Sequence, residues 1–220
     1  MSSAVIQLLV LAGIAIFLIL RLRSVLGTRE GFEKPQVPMA NEAERRTRRD
    51  FEVIEGGVDR DVTDHVDDGT PEAKALTAMK LADADFHVGD FLGGARGAYE
   101  MILMAFETGE LETVKDYIDA DVYDAFAEVV SQREEQGLTI EANFVGVRDV
   151  AITGATFDKA TFEGEVTVRF VGELTFAVRN ADGEVVDGDP STIKRQKDVW
   201  TFSKTMGTGD PNWKLVATGE

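Results

Sequence analysis

The 220-residue chain carries 23 Lys and Arg against 40 Asp and Glu, a formal net charge of −17. That balance argues against nucleic acid as a partner, because a phosphate backbone rewards clustered Lys and Arg. With no cysteine and two histidines, the chain has no disulfides, no thiolate nucleophile and too few ligands for a Cys/His zinc site, so no metal or cofactor is expected.

The charge is unevenly spread. Residues 1–50 hold eight Lys/Arg and five Asp/Glu, so the acidic excess belongs to the rest of the chain. From Ala4 to Leu20 only Gln7 is neither apolar nor glycine. At ~1.5 Å per residue this run covers roughly 25 Å of a hydrocarbon core about 30 Å thick. Continuation to Leu26, with Arg21 and Arg23 snorkelling to the interface, completes a single span over residues 1–26. A cleaved signal peptide would need a basic region before the run and a small-residue cleavage site after it, and the sequence has neither. Arg21, Arg23, Arg29 and Lys34 follow the run, which puts the C-terminal part in the cytoplasm by the positive-inside bias.

Residues 27–70 lack apolar periodicity and contain Pro35, Pro38, Gly56 and Gly57, the composition of a flexible charged linker. Its basic block, Arg45, Arg46, Arg48 and Arg49, has two readings. Together with Arg21 and Arg23 it could contact anionic lipid, or it could be a solvated stretch neutralised by Glu42, Glu44 and Asp50.

Residues 71–220 read as a folded α+β domain. Thr70-Pro71-Glu72 supplies an N-cap, a first-turn proline and an acid on the helix dipole. Ala75, Leu76, Met79, Ala82 and Phe86 recur at helical spacing, which predicts a helix over 71–87. A second helix over 90–107 is apolar all round in its second half and must be covered by neighbours. Gly109 ends it, and two shorter helices follow over 110–119 and 121–136. After Gly137 the period becomes two. Strands are expected over 140–147, 161–171, 174–178, 199–204 and 213–217, with Asp182-Gly183 as a hairpin turn. Helices first and an antiparallel sheet afterwards place the helices on one face of the sheet. Gly93, Gly94 and Gly97 lie inside the second helix at about 0.8–1.0 kcal/mol each relative to Ala. They signal either close helix packing or a ligand approaching a face without side chains.

Four strings carry a family resemblance: Arg21-Leu-Arg-Ser-Val-Leu-Gly-Thr-Arg-Glu-Gly after the apolar run, Phe91-Leu-Gly-Gly-Ala-Arg-Gly-Ala-Tyr99-Glu100, Asp198-Val-Trp200-Thr-Phe202, and Pro211-Asn-Trp213-Lys-Leu215. With them the chain resembles bacterial members of the Tim44-like family, relatives of the membrane-associated adaptor of the mitochondrial import motor. The resemblance implies a curved sheet wrapped around helices, the cone of the nuclear transport factor two-like superfamily, with an apolar pocket. It also implies a non-enzymatic adaptor or scaffold at the bacterial inner membrane. Such an adaptor binds polypeptide partners in protein translocation or membrane-protein biogenesis, with affinity for anionic lipid. The family's mitochondrial relative lies on the membrane and has a long N-terminal region for recruiting a chaperone, whereas this chain is read as spanning and has no room for that region.

A pocket is expected beside Gly93, Gly94, Arg96 and Gly97, lined by Tyr99, Met104, Trp200, Phe202 and Trp213, with Arg96 otherwise paired to Glu100. The cone superfamily also contains isomerases and dehydratases. The residues suited to that chemistry are Asp83 and His87, one helical turn apart as an acid/base pair or simply an exposed ion pair. A secretion-system scaffold of similar architecture is a third possibility.

Overall fold

The computed structural model describes residues 59–219. The expected span over 1–26, most of the expected linker, and Arg21, Arg23, Arg45, Arg46, Arg48 and Arg49 lie outside the described residues. Among the described residues no helix is long and apolar enough to cross a membrane.

Chain order is a one-turn helix α1 (Arg60–Thr63), α2 (Pro71–Ala82), α3 (Val88–Thr108), a 3-10 helix (Leu111–Tyr117) and α4 (Ala120–Glu135), then β1 (Thr139–Asp158), β2 (Glu163–Arg179), β3 (Val185–Thr205) and β4 (Lys214–Gly219). The strands form an antiparallel sheet in the order β1-β2-β3-β4. This is the α+β layering that helices followed by hairpin-connected strands dictate.

Residues 59–70, assigned from the sequence to the linker, already belong to the fold. Val62 is 2% exposed and sits in the main core cluster. Asp59 and Asp61 both hold the Lys80 ammonium, at 2.8 and 2.7 Å. The Thr70 hydroxyl accepts from the Ala73 N–H and starts α2 as expected.

The helix expected over 71–87 stops at Ala82. Asp83 is its C-cap in an extended conformation, and the Asp83 carboxylate accepts from the Lys204 ammonium at 3.1 Å and the Gly207 N–H at 3.2 Å. Side chains 9–10% exposed make this a buried pair. The end of β3 therefore draws Asp83 out of the helix, and α3 starts afresh five residues later. Gly109, at φ +81°, closes α3 in a left-handed C-cap.

Three register shifts in β1, at Phe144/Gly146, Val147/Asp149 and Ile152/Gly154, break its alternation of apolar residues. They explain why the sequence pattern showed only the first part of this 20-residue strand. The two strands expected over 161–171 and 174–178 are one, β2. The β2–β3 turn falls at Asp182-Gly183, where Gly183 has φ +80° and the Asn180 side-chain oxygen accepts from the Asp182 and Glu184 N–H groups.

The core lies between α3 and the inner face of the sheet. Tyr99 is fully buried, stacked on Phe170 at 4.5 Å and tilted against Trp200 at 4.8 Å. Its hydroxyl donates to Asp198 at 2.5 Å, and Gln196 donates to the same carboxylate at 3.0 Å. Burial first, then the Asp198 charge, pushes the Tyr99 phenol above its ordinary range, so it stays a donor. Across the sheet from it, a Cβ on Gly172 would stand 2.5 Å from the Tyr99 oxygen, so glycine is required there. At the other end α4 covers α3 through Phe106 and Phe126, 4.7 Å apart, and the Arg133 guanidinium lies over the Phe106 ring while donating to its carbonyl oxygen.

Candidate functional site

An open groove of about 510 Å3 runs along α3, between its outward face and the segment leading into β4. Its floor follows from spacing on α3. Asp90, Gly94, Ala98 and Met101 recur every three or four residues and so share one side of the helix, small in the middle and apolar at the end. Nothing lies within 4 Å of a Cβ built on Gly94, Gly93 or Gly97. The glycines therefore relieve no close packing in the described fold, and their propensity cost leaves an open shelf.

One end of the groove is built from aromatic rings. Trp213, in the turn before β4, packs on Phe91 at 4.7 Å and Phe86 at 5.6 Å, and Phe91 meets Phe202 edge-on at 6.1 Å. Trp213 is half-buried whereas Phe202 is buried beneath it. At the other end Met101 and Tyr117 are 38% and 37% exposed, large apolar surfaces that the fold leaves uncovered.

The rim is acidic. Asp85, Asp90 and Asp210 are exposed around the opening with His87, while Lys204 is occupied by Asp83. Burial alone would raise the Asp83 pKa, but the Gly207 N–H and Lys204 outweigh it and hold the carboxylate below its usual range. Asp83 is thus a fixed anion within a structural pair. His87 is the N-cap of α3 without a capping side-chain bond, and its Nδ1 lies 3.7 Å from Asp61. Asp83 and His87 border the same groove, but the break after Ala82 removes the shared helix face on which an acid/base pair depended. Among the described residues no group of three or more His, Asp or Glu is arranged to hold a metal.

Of the residues singled out from the sequence, Gly94, Phe202 and Trp213 line the groove. Gly93, Arg96 and Gly97 are exposed elsewhere on α3, Tyr99 and Trp200 are buried in the core on its opposite side, and Met104 is half-buried. Phe86, Phe91, Ala98, Met101 and Tyr117 also line the groove, outside the pocket expected beside Gly94. The i, i+3/i+4 ladder through Gly94 would have found Ala98 and Met101, whereas Tyr117 and Trp213 arrive through tertiary folding.

Field and groove coincide. Residues 59–138, the helical half, hold six Lys/Arg against twenty Asp/Glu, and residues 139–219, the sheet half, hold nine against twelve. An apolar shelf in a strongly negative field has the features of a recognition surface. The chain belongs to the Tim44-like domain family, whose profile matches residues 72–220. It is 27% identical over 151 residues to the human mitochondrial import inner membrane translocase subunit TIM44, covering 67% of this chain and 33% of that protein. The Arabidopsis thaliana subunit TIM44-1 is 20% identical over 195 residues, covering 84% of this chain and 40% of that one. The chain thus spans about a third to two fifths of the length of these relatives. A solved structure of the intermembrane space region of chloroplast protein ARC6 aligns at 9% identity with a TM-score of 0.37, covering 55% of this chain and 85% of that one.

Proposed function

We propose that this chain is a non-enzymatic, membrane-anchored adaptor that captures polypeptide segments in the α3 groove. The observation that carries the reading is the shelf at Gly94–Ala98, open to solvent, apolar beneath and ringed by Asp85, Asp90 and Asp210. Its length along α3 from Asp90 to Met101 is roughly 16 Å at ~1.5 Å per residue, the footprint of two to three turns of an amphipathic helix. A segment with an apolar stripe and basic flanks fits both floor and rim. Relatives named as subunits of an inner-membrane translocase support placing the activity in protein translocation or membrane-protein biogenesis.

Residues 1–26 serve as a single span in the bacterial inner membrane, with the domain on the cytoplasmic side, and Arg21, Arg23, Arg45, Arg46, Arg48 and Arg49 meet anionic headgroups. Against the isomerase or dehydratase alternative, Asp83 is engaged by Lys204 and Gly207 rather than by His87.

The division of labour between rim and floor gives the test. The acidic rim steers the encounter and the apolar floor holds the bound segment, so raising salt should slow association more than it speeds dissociation. Stopped-flow mixing of the full chain with a synthetic 14-residue Leu/Lys amphipathic helix, over 50–500 mM salt, measures both rates. An association rate insensitive to salt would remove the rim from the mechanism.

A further inference from the structure

The strongest unexplained feature beside the groove is the way α3 is capped. Its own N-cap, His87, contributes no side-chain bond. Asp61 in α1, 27 residues before Val88, does so instead: one carboxylate oxygen accepts from the Val88 N–H at 2.9 Å and the other from the Gly89 N–H at 3.0 Å. The Lys80 ammonium bridges the same carboxylate to Asp59, and Val62 fastens the turn into the core. The N–H groups at the head of a helix have no partner within it, so an outside carboxylate there fixes the position of the first turn. That turn is the groove wall: Phe86 and His87 precede the capped amides, Asp90 and Phe91 follow them, and all four line the opening.

We propose that residues 59–66 form a latch that holds the wall of the groove in its binding-competent position. With Asp61 seated, Phe86 and Phe91 are held under Trp213 and the groove is competent. With Asp61 drawn away, the first turn of α3 loses its cap and the aromatic end of the groove loosens. Release of the latch then lowers affinity for the bound segment. Coupling of this kind is reciprocal, so a bound segment tightens the latch. The inference rests on the reading of the groove as a polypeptide site.

The test uses the full chain, with the same Leu/Lys helix as probe, and follows both binding and amide hydrogen exchange at Val88 and Gly89. Asp61→Ala should bind the probe about fivefold more weakly, the factor that loss of a helix cap carries into an equilibrium constant. Thr70→Ala removes the corresponding cap from α2, away from the groove, and should bind as wild type does. Saturating probe should slow exchange at Val88 and Gly89 in the wild-type chain. If Asp61→Ala proves unfolded, Lys80→Met keeps the two amide bonds while removing the bridge, and should weaken binding in the same direction. Unchanged affinity in the folded Asp61→Ala chain, or equal weakening by Thr70→Ala, overturns the latch and leaves the groove reading standing. A wild-type chain that ignores the probe overturns both.

Discussion

Asp61 joins two parts of the chain that no local pattern connects. Burial works against its ionisation, yet the Lys80 ammonium and the Gly89 and Val88 N–H groups prevail and lower its pKa to about 2, from 3.8. A depressed folded-state pKa contributes stability that is fully present above the unfolded value and is lost as pH falls through the folded one. At 26% side-chain exposure the shift corresponds to about 2 kcal/mol. The stability gap between wild type and Asp61→Asn, measured by urea unfolding, should hold constant from pH 7 to about pH 5 and narrow as pH falls below the ordinary carboxylate range towards 2. A gap that widened on acidification would assign the stability to another group. The Asp61 carboxylate is therefore charged near neutral pH, and the cap does not respond to protons there. Nothing in the sequence marked Asp61, because its partners are backbone amides 27 and 28 residues away. Gly94 was legible for a simpler reason: a glycine inside a helix costs enough to demand an explanation.

Among the elements, the helix starts and turns were the most legible, since caps and glycines act within a few residues. Thr70 caps α2, Gly109 ends α3, and Gly183 takes the positive φ of the β2–β3 turn. Where tertiary contacts compete with local pattern, the sequence misled. Lys204 and Gly207 pull Asp83 out of a helix whose apolar spacing continues to Phe86, and three bulges hide the second half of β1. The start of the domain is another such case, because Val62 and Val66 sit in an acidic stretch that reads as linker. A fragment beginning at Asp59 should accordingly outlast one beginning at Thr70. The shorter fragment loses the burial of Val62, about 1.5–3 kcal/mol, and the cap on α3, about 1 kcal/mol. At ~2–4 °C per kcal/mol for a domain of this size, its Tm should be roughly 5–15 °C lower by calorimetry. Equal Tm values would show that residues 59–69 add nothing to the fold.

For the whole molecule, the proposed groove is set against sheet edges that discourage strand addition. Among the described residues the sheet order makes β1 one edge, and the pairing of β4 on β3 begins at Val199. Strand addition is opposed beside β1 by its bulges and charges, and beside the first part of β3 by Pro190 and the positive-φ Gly188. On the helical side negative charge is densest, and α3 exposes the shelf between the Trp213 rings and Met101. Gly94 sits at the middle of that shelf with free space in front of it, so a leucine there fills the groove without disturbing the core. The decisive measurement is a titration of the Leu/Lys helix against the full-length wild-type chain and Gly94→Leu, with circular dichroism showing both folded. Occlusion of the floor predicts at least tenfold weaker binding, about 1.4 kcal/mol. Unchanged affinity in the folded variant would contradict the groove as the site of polypeptide capture.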